Sequence, residues 1–305
     1  MKTVDKIKHI AFLKVPKTGS STLACIFLRF GIKNKLDMYL PKSTALVSRE
    51  KQKRLLEEKK CYDIFVIHTH FDRTFFTNIV PRNSAIIGLV REPTQRIISH
   101  AFYFKPLRKS KEMKSLSEQE YIHRVLINTS KYGAENVMGT YFGMKKTKER
   151  KKDYIHQYIE SLNSSFSLVL VLEKFNESLI LLKRILNWSF ADILYVAKKV
   201  NTYGNVSLDE EEKHTLFSNN MLDFEIYNFF KKELESKIKQ GGKDFQSEVL
   251  HFENILHSVK TFCDKAVNDS KIEFPSSKWD RSFEVHSSEC ELIFRMDVGE
   301  IKKRY

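Results

Sequence analysis

Apolar residues gather into four short runs set between polar, lysine-rich stretches, and the runs alternate with segments of helical periodicity. Residues 7–15 form the first run, which ends at Pro16 and passes into Lys17-Thr18-Gly19-Ser20-Ser21-Thr22. Beyond it Leu23, Ile26, Phe27 and Phe30 fall at i, i+3, i+4 and i+7. This predicts a strand, a tight glycine-containing loop and an amphipathic helix that stops at Gly31. Residues 63–67 and 84–90 read as two more buried strands, because each is rich in β-branched side chains and bounded by polar or turn residues. A helix is expected from Pro93, whose missing N–H is harmless in a first turn, with Ile97, Ile98, Ala101 and Phe102 facing inward. Residues 167–173 (SLVLVLE) give a fourth strand, followed by a helix over about 177–186 with Leu179, Leu182 and Leu186 on one side. From Leu208 onward the pattern is almost wholly helical, with Phe224, Tyr227 and Phe230 spaced for burial and no further strong strand. Repeated strand and helix alternation implies a parallel sheet flanked by helices, an α/β fold with a mostly helical C-terminal portion.

Composition narrows the class. In 305 residues, 42% hydrophobic content with 23 Phe and 12 Tyr excludes a disordered chain, and 10 Gly with 6 Pro excludes a collagen-like one. The 52 Lys+Arg against 38 Asp+Glu leave a formal charge of +14, which points to anionic ligands: nucleotides, sulfated glycans, nucleic acid or acidic membranes. The lysine-rich stretches 105–114 and 145–152 read as solvated surface, or as the border of an anionic substrate. No apolar stretch approaches a membrane span, and MKTVDKIKHIAFLKV is too charged and short for a signal peptide, so a soluble chain is expected. The four cysteines lack zinc-ligand spacing, and no metal site is expected; a single disulfide, such as Cys263 with Cys290, is left open. Asn128, Asn163, Asn176, Asn187, Asn205 and Asn268 each begin an N-x-[ST] sequon, against roughly two expected by chance, which favours passage through a secretory lumen.

The loop of Lys17, Thr18, Gly19, Ser20, Ser21 and Thr22 between a strand and a helix start is an anion site on physical grounds. Gly19 permits close backbone approach, the first helical N–H groups are unpaired, the macrodipole is positive there, and Lys17 with the hydroxyls adds donors. It is not a Walker A loop. That pattern needs Lys after the glycine and another Gly where Lys14 stands, which demotes an ATP-hydrolysing kinase. A second cation, Arg91, ends the 84–90 strand in Leu89-Val90-Arg91-Glu92-Pro93, with Ser99 eight residues on in the next helix. Ligands of open parallel sheets bind beyond the carboxyl ends of the strands, so Arg91 and the Lys17 loop should face one crevice. A bidentate arginine and a helix hydroxyl suit a nucleotide carrying phosphates at two separate places.

Val15-Pro16-Lys17-Thr18-Gly19-Ser20-Ser21-Thr22 and the Arg91…Ser99 pair resemble the 5′-phosphosulfate and 3′-phosphate binding elements of sulfotransferases that use 3′-phosphoadenosine 5′-phosphosulfate (PAPS). Within the Golgi carbohydrate branch, several blocks are similar to the galactose-3-O-sulfotransferase family: Leu28-Arg29-Phe30-Gly31, Leu89-Val90-Arg91-Glu92-Pro93, Asn136-Val137-Met138, Val171-Leu172-Glu173-Lys174-Phe175-Asn176-Glu177-Ser178-Leu179 and Asp192-Ile193-Leu194-Tyr195. Asp223-Phe224-Glu225-Ile226-Tyr227-Asn228 resembles that family's late helix, so the likeness runs from about residue 8 to about 235. It implies one P-loop-like sulfotransferase domain over 1–305, with a nucleotide-binding α/β core over about 8–200 and a helical portion over about 205–305. The donor contacts implied are Lys14, Pro16, Lys17, Thr18, Gly19, Ser20, Ser21, Thr22, Arg91 and Ser99. The family commonly has a histidine where this chain has Pro16, a form nearer the wider Golgi group that includes uronosyl 2-O-sulfotransferases. It is also usually anchored by an N-terminal span absent from these residues, which implies a Golgi-lumenal fragment or a soluble, secreted or cytoplasmic relative.

Sulfuryl transfer needs a base for the acceptor hydroxyl. His68-Thr69-His70 follows the 63–67 strand, and alternate residues of an extended segment point the same way, so both imidazoles are expected at the crevice. By resemblance to the histidine that follows this strand in carbohydrate sulfotransferases, His70 is the base, His68 the second choice or an acceptor-orienting group, and Lys17 the stabiliser of the leaving oxygen. No metal is called for. The resemblance implies transfer to the 3-OH of a terminal β-galactose on a glycan or glycolipid. Another glycan O-sulfotransferase, such as a uronosyl 2-O enzyme, and a non-catalytic sulfated-glycan or anion-binding module stay open. RNA is disfavoured, since the basic runs carry no RNP-like aromatics and no KH-type GxxG loop occurs.

Overall fold

The computed structural model describes residues 5–41, 46–103, 111–144, 152–196, 206–295 and 298–304. Residues 105–110 and 145–151 of the lysine-rich stretches and the sequon at Asn205 lie outside them. Strand β1 (Ile10–Leu13) leads through the Lys17 loop into helix α1 (Ser20–Lys33), then to a two-residue strand β2 (Met38–Tyr39), helix α2 (Arg49–Glu57), strand β3 (Ile64–Ile67) and helix α3 (Arg73–Asn78). Strand β4 (Ala85–Val90) and helix α4 (Pro93–Tyr103) precede four helices: α5 (Lys111–Lys114), α6 (Glu118–Ile127), α7 (Val137–Tyr141) and α8 (Lys152–Asn163). Strand β5 (Leu168–Val171) is followed by α9 (Phe175–Leu186) and the single turn α10 (Phe190–Ile193). The remainder holds α11 (Glu210–Asn219), α12 (Met221–Gln240), α13 (Phe245–Lys265), strands β6 (Lys271–Phe274) and β7 (Phe283–His286), and the short helices α14 (Ser287–Cys290) and α15 (Val298–Arg304).

The first five strands form one parallel sheet in the order β2-β3-β1-β4-β5. Every residue of β1, β3, β4 and β5 is buried, which is why these strands read as unbroken apolar runs rather than as alternations. From β1 the chain runs to one edge at β2, returns through β3, and then crosses β1 to build β4 and β5. The order therefore reverses between β1 and β4, and the carboxyl ends of these two strands open a crevice there. Helix α1 packs on β3 with α10 and α15 against it, while α12 packs on β4 and β5 and carries α7 and α8. The main apolar core draws on residues from Ile10 to Ile301, and a second cluster joins α4 to α6 through Ile97, Ala101, Tyr121 and Val125.

Three features depart from the sequence reading. Helix α1 does not stop at Gly31 but continues to Lys33; Gly31 sits inside it because a Cβ there would lie 2.5 Å from the Met38 sulfur. Strand β2, with two residues and no β-branched run, gave no signal. The stretch after Leu208 is not wholly helical, since β6 and β7 pair as an antiparallel hairpin with Lys271 opposite His286 and Phe274 opposite Phe283. This hairpin is bracketed by a disulfide between Cys263, in α13, and Cys290, in α14, with Cα atoms 5.5 Å apart; Cys25 and Cys61 are not disulfide-bonded.

The disulfide closes a loop of 27 residues, and bonds of this kind stabilise by about 2–4 kcal/mol through the unfolded chain. Replacing both cysteines by serine is expected to lower the urea midpoint accordingly with the slope nearly kept. An unchanged midpoint would show that the bond adds nothing to the packing of the hairpin.

Candidate functional site

The turn after β1 is built from two left-handed residues, Lys17 (φ 65°) and Gly19 (φ 81°). At Gly19 both the backbone angle and the space demand glycine, because a Cβ would lie 2.5 Å from Leu172 at the end of β5. The hydroxyls of Thr18 and Ser20 do not face outward as the sequence suggested: both donate to the Val15 carbonyl, at 3.0 and 2.6 Å. Both residues are buried, and each spends its hydroxyl hydrogen inside the loop. The consequence is a helix start with Gly19 as its N-cap, no side-chain cap and no acidic residue in the first turn. Thr22 N–H closes back on the Gly19 carbonyl at 3.1 Å. Among the described residues, the N–H groups of Thr18, Gly19, Ser20 and Ser21 find no backbone acceptor. Such N–H groups at the positive end of a 14-residue helix favour an anion. Pro16 is half-buried beside Lys17, Ser21 is exposed and Thr22 half-buried.

Arg91, at the end of β4, donates from Nη1 to the Lys17 carbonyl at 3.1 Å, so the two cations expected in one crevice are joined there. The following Glu92 caps α4, its two oxygens accepting from Thr94 N–H at 3.0 Å and Gln95 N–H at 2.7 Å, while its own N–H donates to Glu173 at 2.9 Å. Ser99 is buried on α4, one turn before Tyr103. The Lys17 ammonium lies 3.9 Å from the centre of the Tyr103 ring. That ring is 64% exposed, and a cation–π contact in such a place is worth only about 0.5–1 kcal/mol, weak enough for an anionic ligand to take the ammonium over.

The histidines stand at the next strand end. His68 donates from Nδ1 to the Lys14 carbonyl at 2.6 Å; a carbonyl only accepts, so Nδ1 carries a proton. Lys14 itself is buried. The two imidazoles meet the ring of Tyr141 edge to face, at 6.2 Å for His68 and 5.6 Å for His70, so both lie on one side of the extended segment, as its alternation predicts. Thr69 points the other way and is fully buried. Burial first, and the charge of Arg49 second, hold His70 below the usual histidine range. Burial pushes the Tyr141 phenol up.

Several site residues carried no sequence signal. Tyr141 and its helix α7 are held by a buried ion pair: Arg96 Nε lies 3.4 Å from Asp223 Oδ2, both fully buried. The other oxygen of Asp223 accepts from Gly139 N–H at 2.8 Å, and Arg96 also donates to the Ala134 carbonyl. Asn136 adds bonds to the Asn219 carbonyl at 2.9 Å and from Asp223 N–H at 3.3 Å. The blocks around Asn136 and Asp223 thus support the site from behind. Charged residues at core-facing helix positions, Arg96 beside Ile97 and Asp223 beside Leu222, were the available clue, since such groups are buried only when paired. Among the described residues no group of three or more His, Cys, Asp or Glu is placed to hold a metal ion, and no helix is long and apolar enough to cross a membrane.

An uncapped helix start, an arginine on the neighbouring strand end and a histidine pair on the next are set at the strand ends of a parallel α/β sheet. A family model described as galactose-3-O-sulfotransferase matches residues 2–273, and the chain belongs to that family. Galactosylceramide sulfotransferase of Homo sapiens is 26% identical over 274 residues, covering 84% of this chain and 64% of the relative. Galactose-3-O-sulfotransferase 2 of Mus musculus is 25% identical over 244 residues, 74% of this chain and 61% of the relative. Galactose-3-O-sulfotransferase 3 of Mus musculus is 23% identical over 267 residues, 78% and 59%. The chain thus spans under two thirds of the length of these relatives.

Beside Ser99, His100 donates from Nε2 to the Tyr132 carbonyl at 3.1 Å, and burial, then Arg96, lowers its pKa from 6.5 to about 4. Between those values the unfolded chain binds the proton and the folded chain does not, so this histidine's contribution to stability is lost as pH falls from 6.5 toward 4. Urea midpoints across that window are expected to fall less steeply for His100→Gln than for the unchanged protein. Equal slopes would mean that His100 takes up its proton in the folded state.

Proposed function

We propose that this chain transfers the sulfuryl group of PAPS to a sugar hydroxyl, the 3-OH of a terminal β-galactose on a glycan or glycolipid acceptor. The observation that carries this reading is the 3.1 Å hydrogen bond from Arg91 to the Lys17 carbonyl, which draws two phosphate-type donors 74 residues apart to one crevice beside the histidines. Family membership supports the reaction class, and the names of relatives that include galactosylceramide sulfotransferase support a galactose-bearing acceptor.

In this reading the open N–H groups at residues 18–21 and the Lys17 ammonium grip the 5′-phosphosulfate, with the side chains of Ser21 and Thr22 as the loop's remaining hydroxyl donors. Arg91, whose Nη1 donates to the Lys17 carbonyl, takes the 3′-phosphate together with Ser99. His70 accepts the acceptor hydroxyl's proton as the new oxygen–sulfur bond forms and the bond from sulfur to the bridging phosphate oxygen breaks. Lys17 meets the charge that grows on that oxygen, and 3′-phosphoadenosine 5′-phosphate leaves. A lowered pKa keeps His70 neutral, as a base must be, at neutral pH. Residence in an oxidising lumen such as the Golgi is supported by the Cys263–Cys290 bond and by the exposed sequon residues Asn128, Asn187 and Asn268. One observation favours a second acceptor class: Arg49 lies near enough to His70 to lower its pKa, which would suit an acidic sugar such as a uronic acid sulfated at its 2-OH.

Thermal shifts test the donor site without an acceptor. At about 100 times its Kd, 3′-phosphoadenosine 5′-phosphate is expected to stabilise the protein by about 2.7 kcal/mol, and Arg91→Ala to weaken its binding by about 10- to 100-fold while leaving ADP nearly unaffected. An equal response to ADP, or none, would remove Arg91 from the 3′-phosphate. Turnover of labelled PAPS with lactose, and separately with a uronate, tests the rest. His70→Ala is expected to lower kcat by roughly 10²–10⁴-fold with nucleotide affinity kept. The acid limb of kcat/KM should lie below pH 6.5 and move up in Arg49→Gln, because removing a nearby positive charge makes the imidazole easier to protonate. Full turnover in His70→Ala would exclude it as the base, and binding of the nucleotide with no turnover on any sugar would leave an anion-binding module.

A further inference from the structure

Helix α2 reads REKQKRLLE, and only Gln52 and Leu55 of it are buried. A buried amide in so charged a helix is costly unless each of its polar atoms is used. Both hydrogens of the Gln52 amide are spent on the histidine segment: Nε2 donates to Thr69 Oγ1 at 2.7 Å and to the His70 carbonyl at 2.8 Å. The Thr69 hydroxyl has a single hydrogen, which goes to the Val47 carbonyl at 2.8 Å, so Thr69 must accept from Gln52 and the amide's orientation is fixed by its partners. Just before the helix, Val47 pairs with Thr69 as a parallel bridge and its N–H donates to the His68 carbonyl at 2.8 Å.

The peptide that follows His70 is therefore pinned on both sides. Its carbonyl receives Gln52, and its N–H, on Phe71, donates to the Tyr141 carbonyl at 2.7 Å. Only the side-chain torsions of His70 stay adjustable, and the Tyr141 ring stands against them at 5.6 Å. We infer that Gln52 is a positioning residue for the reaction: through Thr69 and the His70 carbonyl it sets where the His70 imidazole stands in the crevice. The inference rests on the proposed role of His70. Gln52 touches neither the donor loop nor Arg91 among the described residues, so its effect should reach kcat and bypass the nucleotide. A glutamate at this place would set a carboxylate against the His70 carbonyl, which can only accept, and against a hydroxyl whose one hydrogen is given to Val47, whereas methionine keeps the volume and removes both bonds.

The test is a double-mutant cycle of Gln52→Met and His70→Ala, read with PAPS and lactose and accompanied by thermal midpoints and by the Kd for 3′-phosphoadenosine 5′-phosphate. Misplacing a reacting group by about 1 Å costs on the order of 10²-fold, so Gln52→Met is expected to lower kcat about 10- to 100-fold, with nucleotide Kd changed less than about 2-fold. Gln52→Glu should fall at least as far. In the His70→Ala background, Gln52→Met is expected to cause no further loss, since the group it positions is already gone. A full, additive loss in that background, or unchanged kcat in a folded Gln52→Met protein, overturns the inference. Should Gln52→Met not fold, Thr69→Val, which removes the hydroxyl between Gln52 and Val47, decides by the same cycle. If His70→Ala alone keeps full turnover, the reading of His70 fails, and the cycle separates that failure from one confined to Gln52.

Discussion

The Val15 main-chain carbonyl sets the character of the site. It accepts from the hydroxyls of both Thr18 and Ser20, the residues best suited by type and place to cap α1. A loop rich in Ser and Thr at a helix start would ordinarily satisfy its own N–H groups and leave nothing for a ligand. Here the hydroxyls are turned inward, the N-cap falls to Gly19, and among the described residues the first N–H groups find no backbone acceptor. Leu172 at the end of β5 fills the space beside Gly19 and keeps that residue from acquiring a side chain. The proposed anion site is thus made by where the capping groups are sent, and the ends of β1 and β5 and the start of α1 all take part in sending them.

Behind the crevice, the buried pair of Arg96 and Asp223 has the opposite logic, because burial opposes charge on both groups. Its Coulomb attraction alone is a poor return for desolvating two ions. What it secures is geometric. Asp223 accepts from the N–H of Gly139 at the start of α7, Arg96 reaches the Ala134 carbonyl just before that helix, and Asn136 between them is bonded to α12. Helix α7 has only five residues, too few to hold its own place, and Tyr141 is its last. The ion pair therefore fixes the aromatic ring against which both histidines rest.

Legibility from sequence followed the range of each interaction. Strands β1, β3, β4 and β5 were readable because burial on both faces writes a continuous apolar run, and α1, α4 and α9 because their inward faces repeat at helical spacing. Lys17, Arg91, His68 and His70 were findable because strand ends of a parallel sheet are where such groups meet. Strand β2 and the β6–β7 hairpin were not, since two residues carry no period and KIEF with FEVH alternates too briefly to outweigh helical flanks. The inward turn of Thr18 and Ser20 was hidden because a hydroxyl's direction is not a property of its identity. Gln52, in a helix that otherwise looks solvated, and the pairing of Arg96 with Asp223 across 127 positions depend on tertiary contacts that no local pattern records.

Sheet register ties the donor loop to the histidines more firmly than either loop ties itself. Strands β1 and β3 are parallel neighbours with Leu13 opposite Ile67, so the next residue of each, Lys14 and His68, leaves the sheet side by side. The 2.6 Å bond from His68 Nδ1 to the Lys14 carbonyl is the direct result of that pairing. In the proposed reaction this divides the work between the imidazoles. His68 is bound through Nδ1 to the segment that opens the donor loop, so it keeps the spacing between donor and acceptor sides. His70, two residues further along, faces the same way but is bonded through its backbone, which leaves its ring nitrogens to an acceptor hydroxyl. A base must be free to gain a proton without breaking the bond that orients it, and His70 meets that condition through its main chain.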